Sequence, residues 1–342
     1  MKLFKKKLGL KIAISLMVLF LLVEIVYRVV HKDTIIEHPP IYQIDSVLSY
    51  KYLANTTFTK GGKEMHINKY GYIGEDWPIA KPDNFFRIAI IGACPVAGGI
   101  HIKGHNSSFP LMLQDKFQQN GYNVEILNFG VGGANRSYSL FKSIEKDVAQ
   151  FKPDIILLEF SGVFSDDKIV KEVYRNNIIE YPYGNTKAKE HVKKLVDEFY
   201  PYSFLRKIVK NVETVRAVVR YYGEYNTNKL GEYCKFIVED KVSVYGPKIL
   251  FTKKKTIQLL VEENDKLKNE NIKLYLFIFK CTNTTSYKSI PILPICGDFD
   301  ETTHYPKDEH YNYKGTLLIT DMFYEQLIKI IPQKYYHNEP KK

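Results

Sequence analysis

The chain is expected to be an α/β protein: a three-layer α/β/α sandwich around a parallel sheet, preceded by one N-terminal transmembrane helix. Three observations predict this. From residue 87 onward, short apolar runs alternate with segments of helical period, the pattern of a parallel sheet covered on both faces. The runs are apolar throughout, as strands buried on both faces must be. Near the N-terminus, Ile12 to Val30 is apolar except for Ser15, Glu24, Tyr27 and Arg28.

The anchor comes first in the chain. At about 1.5 Å per residue, Ile12–Val30 extends roughly 28 Å, close to a hydrocarbon core. The lysines at positions 2, 5, 6, 7 and 11 precede it, which favours a cytoplasmic N-terminus and an extracytoplasmic main domain. Glu24 and Arg28 lie one helical turn apart and can pair. Where a cleavable leader would show small residues, Val23, Glu24, Ile25 and Val26 stand. An uncleaved single-pass anchor is therefore favoured over a signal peptide. No second span is present, which excludes a multi-span transporter.

Composition narrows the class. The 342 residues are 45% hydrophobic and 25% charged, enough apolar material for a substantial core. A wholly disordered chain, a collagen and a small disulfide scaffold are excluded. The net charge is +11, of which +6 falls in residues 1–32, leaving +5 for the rest. The basic balance is largely a tail effect, and nucleic acid is not an expected partner. Cysteines stand at 94, 234, 281 and 296 with no C-x-x-C pair. Cys281 and Cys296 could close a short disulfide loop in an oxidising compartment.

Three regions are expected: residues 1–32 as basic tail and anchor, 33–86 as a linker and lead-in with little core of its own, and 87–335 as the main domain. In that domain, Arg87–Gly92 reads as the first strand and Phe109–Asn120 as a helix with Pro110 in its first turn. Val124–Phe129 is the second strand. Ser137–Phe151 is a helix with Leu140, Phe141, Ile144 and Val148 on one face. Asp154–Phe160 is the third strand. Residues 165–250, rich in Lys, Tyr and Asn, break the alternation and read as a mostly helical insertion. Thr256–Asn271 is a helix, Ile272–Phe279 a fourth strand, Ile292–Ile295 a short fifth, and Thr316–Ile331 the closing helix.

Sites in open α/β sheets form at the carboxyl ends of strands. Cys94 stands just past the first strand, where helix-start amides lower a thiol pKa. Asp308 stands two residues before His310, just ahead of the last helix. An Asp so placed can orient an imidazole that acts as general base. Each residue also has a plainer reading: Cys94 as a small buried hydrophobe at a strand end, His310 as a surface-loop histidine, and Gly130, Gly132 and Gly133 as turn glycines. Asp300 with His304 is a second, weaker pairing. His101 and His105 lack a carboxylate at ligand spacing, so no metal is expected. Gly98-Gly99 is not followed by the Gly-Lys-Ser/Thr of a phosphate loop, and no cofactor is expected.

These residues resemble the SGNH/GDSL hydrolase family, in particular its membrane-anchored bacterial branch. The resemblance rests on Ile67-Asn-Lys-Tyr-Gly71-Tyr-Ile-Gly74, Lys81-Pro82, Phe86-Arg87-Ile-Ala-Ile-Ile-Gly92, Asn128-Phe-Gly130-Val-Gly132-Gly133, Lys152-Pro-Asp154-Ile-Ile-Leu-Leu and Asp308-x-His310-x-Asn312-x-x-Gly315. It implies a flavodoxin-like parallel sheet and a catalytic set of Cys94, His310 and Asp308. The oxyanion would be held by the N–H groups of Cys94 and Gly133. The departures are specific. The family's Gly-Asp-Ser reads Gly92-Ala93-Cys94, and its third-block asparagine falls on Val163, with Ser165 reachable only by a register shift. The function implied is an ester hydrolase, deacetylase or O-acyltransferase acting on an acylated glycan, lipid or small ester. The alternative is a catalytically degenerate domain that binds a surface polymer or partner protein.

Overall fold

The structure, a computed structural model, describes residues 14–26, 42–60, 63–98, 108–132, 137–166, 169–174, 177–182, 184–199, 212–225, 231, 234, 241–243, 249–279, 286–297, 299–304 and 310–336. The chain divides into two compact units. The larger comprises Ile36–Glu172, Pro182–Gly184 and Tyr245–Lys342, the smaller Met1–Ile35, Val173–Tyr181 and Asn185–Val244.

In chain order the strands are β1 (Tyr42–Asp45), β2 (Ser49–Tyr52), β3 (Thr56–Lys60), β4 (Lys63–Ile67), β5 (Phe86–Gly92), β6 (Val124–Gly130), β7 (Ile155–Glu159), β8 (Ser165–Asp166), β9 (Ile169–Tyr174), β10 (Asn177–Pro182), β11 (Lys241–Ser243), β12 (Ile249–Leu250), β13 (Lys273–Ile278), β14 (Ser286–Tyr287) and β15 (Ile290–Pro294). The central sheet runs β14-β15-β13-β7-β5-β6. Its five long strands pair in parallel, with Ile90 opposite both Asn128 and Leu157, and Tyr275 opposite Leu157. Numbered by chain order they run 2-1-3-4-5, the arrangement of flavodoxin-like sheets. β14 is a short antiparallel edge. The expected α/β class and parallel sheet are therefore found.

Strand direction places the helices. Right-handed crossovers put Phe109–Gln119, between β5 and β6, on one face. They put Ser137–Ser143, between β6 and β7, on the other. The closing helix Tyr313–Leu327 joins the first of these: Phe109 stacks on Phe323 at 4.6 Å, and Lys116 pairs with Asp321. Ile88, Ile90, Ile155, Leu157, Phe109, Leu113 and Phe323 form one buried cluster on that face. All seven residues of β5 are buried, which is why it reads in the sequence as an unbroken apolar run. The helix over Lys253–Asn269 starts on a cap in which Thr252 Oγ1 accepts the Lys255 N–H.

The lead-in corrects one expectation. Residues 42–77 are not a bare linker: Leu48, Tyr50, Tyr52, Ile67, Tyr72, Ile73 and Trp77 are all buried. β1 and β2 form one hairpin, β3 and β4 another. Asn68, fully buried, accepts the N–H groups of Tyr70 and Tyr72 and folds the following loop. Gly71 there has φ +84, and a Cβ would sit 2.8 Å from the Tyr52 carbonyl, so only glycine closes this turn. Trp77 packs between Tyr72, Phe129 and Phe151.

Arg87 explains other lead-in residues. Its side chain is wholly buried, yet every guanidinium nitrogen has a partner. Nε donates to Glu125 at 2.6 Å, and the terminal nitrogens donate to the carbonyls of Pro78, Ile79, Ala80 and Phe151. Asp154 accepts the Arg87 N–H at 2.7 Å and the Lys81 ammonium at 2.7 Å. Lys81, Arg87 and Asp154 are thus a framework clasp at the amino ends of β5 and β7.

The insertion holds the helices Thr186–Phe199 and Glu213–Tyr225 together with the short strands β8 to β12. β8 and β12 pair antiparallel where the chain leaves and rejoins the larger unit. In the smaller unit β10 and β11 are parallel. Its N-terminal helix is described over residues 14–26. Glu24 on that helix accepts the N–H and the hydroxyl of Thr214, each at 2.9 Å. Among the described residues no helix is long and apolar enough to cross a membrane. The flanks of the expected span, residues 12–13 and 27–30, lie outside the described residues.

Candidate functional site

Cys94 stands two residues past the central strand β5, at the point between β5 and β7 where the strand order reverses. It opens a single helical turn, Cys94–Ala97, closed by the bonds from Ala97 N to Ala93 O and Gly98 N to Cys94 O. Pro95 at the second position fits that turn, where its missing N–H costs nothing. Cys94 is half-buried, whereas Val96 and Ala97 are fully buried. The fully buried placement of an inert cysteine is not what is found.

The turn is seated by close approach. A Cβ on Gly130 would overlap the backbone of Ala97, and one on Gly92 would overlap Val96. β5 and β6 can carry the turn this tightly only with glycine at both positions. Asn128 completes the seat, accepting the Gly130 N–H through Oδ1 and donating to the buried hydroxyl of Ser108.

A residue that the sequence reading passed over enters here. Glu159 ends β7, and its Oε2 accepts the Ala93 N–H at 2.7 Å. The same oxygen stands 2.5 Å from where a Gly92 Cβ would be. Burial pushes the Glu159 carboxyl up to about 7, against the opposing pull of the Ala93 N–H. The one signal in the sequence was a charged residue closing the apolar run Ile155–Leu158.

The late loop meets the same edge. His310 is half-buried and precedes the helix Tyr313–Leu327. Asn312 caps that helix, accepting the Gly315 N–H, and donates to the carbonyls of Thr302 and His304. Tyr311 packs on Phe279, just past β13. Its phenol is pushed up first by burial and then by the charge of Glu159. Glu159 therefore binds the turn carrying Cys94 and lies within electrostatic range of Tyr311, beside His310. The alternative Asp300–His304 pair is not formed. The Asp300 carboxylate accepts the N–H and hydroxyl of Thr302, while the His304 ring meets Thr303 Oγ1 and the Asp300 carbonyl.

The lead-in hairpin supplies a third wall. Tyr50 donates its hydroxyl to the Gly132 carbonyl, and the Gly132 N–H donates to the Tyr52 hydroxyl, both at 2.9 Å. Lys171 lies over the rings of Tyr42 and Tyr50. Burial pushes the Tyr42 phenol far above its ordinary value; neighbouring tyrosines and Cys94 add to this, and Lys171 opposes it. The hairpin thus holds Gly132 in the loop after β6 and comes within electrostatic range of Cys94. A cavity of about 200 Å³, lined by Val47 and Tyr138 as well as Ser46, Ser139, Lys142 and Asp166, includes neither Cys94 nor His310.

Gly133, Asp308, His101 and His105 lie outside the described residues. Val163 stands in the loop after β7, and its side chain can donate no hydrogen bond. Ser165, reachable by a shifted register, instead exchanges bonds with Ser137. Cys296 is in a disulfide, whereas Cys94 and Cys234 are not. Its expected partner, Cys281, lies outside the described residues. Among the described residues no three His, Cys, Asp or Glu side chains converge as a metal would require. No family model matches the chain, and no curated protein matches it.

Proposed function

We propose that the protein is a membrane-anchored ester hydrolase or O-acyltransferase of SGNH type, acting outside the cytoplasmic membrane on an acylated glycan, lipid or small ester. The observation that carries this reading is the placement of Cys94. It is a half-buried thiol at the carboxyl end of the central strand of a 2-1-3-4-5 sheet, with the His310 segment on the same edge. In this reading the Cys94 sulfur attacks the ester carbonyl carbon. The oxyanion is held by the N–H groups of Cys94 and Gly133. His310, oriented by Asp308, takes the thiol proton and delivers it to the departing alkoxide, leaving a thioester. Water or an acceptor hydroxyl then attacks the thioester, gives its proton to His310 and releases Cys94. The N-terminal helix supports the anchor: Leu16, Met17, Leu19, Phe20, Leu22 and Val26 are all exposed, an apolar surface on every side.

Val163 favours a second reading, a non-catalytic domain that binds a surface polymer or partner protein. Loss of one oxyanion donor costs about 10² to 10³ in rate.

Intact-mass spectrometry separates the two. The detergent-solubilised full chain is exposed briefly to an activated acetyl ester, beside Cys94→Ala and His310→Ala. A fast single acetyl adduct that needs both residues supports the thiol acyl enzyme. An absent adduct, or one indifferent to His310, refutes it and leaves the binding reading.

A further inference from the structure

Ala93 brings no polar side chain to the turn that presents Cys94, and yet a carboxylate sits on that turn. It comes from the neighbouring strand. We propose that Glu159 is a positioning residue of the thiol site, its carboxylate fastening the Cys94 turn to β7 through the Ala93 N–H. The inference rests on the reading of Cys94 as the reactive thiol.

Three observations carry it. The bond is short, 2.7 Å, and spans two strands. Ala93 is the N-cap of the turn; its own carbonyl accepts the N–H groups of Val96 and Ala97. The Glu159 bond holds the Gly92–Ala93 peptide, and the Val96 and Ala97 bonds hold the Ala93–Cys94 peptide that carries the Cys94 N–H, so Ala93 is gripped on both sides just ahead of the thiol. Gly92 supplies the clearance, since any Cβ there would crowd Glu159 Oε2. The glycine, the alanine and the glutamate make one device: two residues reduced to backbone, and one long carboxylate that fills the space.

The surroundings make the device responsive to pH. From β5 and the turn, Glu159 meets Gly92, Ala93 and, one residue beyond, Cys94. Across β13 its strand partner is the apolar Phe277. From the late loop the Tyr311 phenol is near enough to feel its charge. Among the described residues no cation pairs with it. Burial without a counter-charge is what lifts the carboxyl to about 7. Protonation exchanges a charged acceptor for a neutral one and weakens the clamp.

The test reads the thiol rather than catalysis, so it is independent of the acyl-enzyme reading. Cys94 alkylation by a neutral reagent is followed from pH 5 to 10 in the full chain, with peptide mapping to separate Cys94 from Cys234. Glu159→Gln keeps an oxygen that can accept the Ala93 N–H but cannot titrate. The wild type is expected to show a step near pH 7 in addition to the ionisation of the thiol itself. The Gln variant is expected to lose that step and keep the thiol limb. Matching thermal melts at pH 5 establish that the variant is folded. Identical profiles in the two proteins would overturn the positioning role, whether or not an acetyl adduct forms. A missing adduct alongside the expected profiles would refute the acyl enzyme and leave the clamp standing.

Discussion

Replacing Arg87 by methionine tests whether the clasp at the foot of the sheet is read correctly. Methionine keeps most of the buried stem and removes the fork. Its cost follows from what each partner does once the fork is gone. Pro78, Ile79 and Ala80 are exposed, so their carbonyls turn to water at little cost. The Phe151 carbonyl belongs to a fully buried residue and is stranded, at about 1–3 kcal/mol. Glu125 loses its ion partner, but its side chain is 18% exposed, so water recovers part of that loss. Breaking a buried pair costs about 3–5 kcal/mol. The partial wetting places Arg87→Met at the lower end, about 3 kcal/mol. With a urea slope of roughly 3 kcal/mol/M, the unfolding midpoint of the full chain drops by about 1 M. Arg87→Lys retains the charge but not the fork and is expected to fall between the two. A midpoint shift under about 0.3 M for Arg87→Met, or a Lys variant equal to wild type, would refute the reasoning.

Glu159→Gln has a second consequence, in stability. The carboxyl rises from an ordinary 4.5 to about 7 on folding, so its contribution is fully present below about pH 4.5 and lost as pH climbs through 7. The Gln variant should match wild type at pH 4 and exceed it at pH 8 by about 2 kcal/mol after allowance for partial exposure, read as a pH-dependent difference in Tm; a constant difference would contradict the assignment. Tyr52→Phe removes the hydroxyl that accepts the Gly132 N–H and should cost about 1–3 kcal/mol in denaturant melts, and it should slow acetyl-adduct formation by more than the midpoint shift accounts for. Gly130→Ala drives a Cβ into the Ala97 backbone and is expected to abolish the folded protein. Gly162→Ala, with nothing within 4 Å but a φ of +102, should cost only about 1–3 kcal/mol of backbone strain; equal effects of the two would show that the tight seat of the Cys94 turn is not real.

The parallel sheet was legible because its strands are buried on both faces. Ile88–Ile91 and Ile155–Leu158 leave no polar residue to obscure them. The helices between them carried period and punctuation, such as Pro110 in a first turn, whereas the cap at Thr252 starts its helix three residues before the expected Thr256. The lead-in was misread for the opposite reason. Much of its core is tyrosine, with one buried asparagine, and these count as polar or ambivalent in a sequence. Their burial depends on partners such as Gly132 and Asp147, roughly 80 residues away. Of the proposed site, Cys94 and His310 stood out in the sequence by position relative to strand and helix. Glu159 did not, because its role comes from strand pairing: β7 lies next to β5, so its last side chain reaches the turn of another segment.

The two grips of the lead-in act on different ends of β5 and in a fixed order along the chain. Tyr50 and Tyr52 hold Gly132 beside the carboxyl edge, and Pro78 to Ala80 are held by Arg87 at the amino edge. Tension applied to the chain ahead of residue 42 is therefore borne first by the tyrosine hairpin. Only after that hairpin yields does load reach Arg87. The tyrosine hairpin is thus a mechanical fuse at the loop after β6, and a pull too weak to reach Arg87 is felt there first.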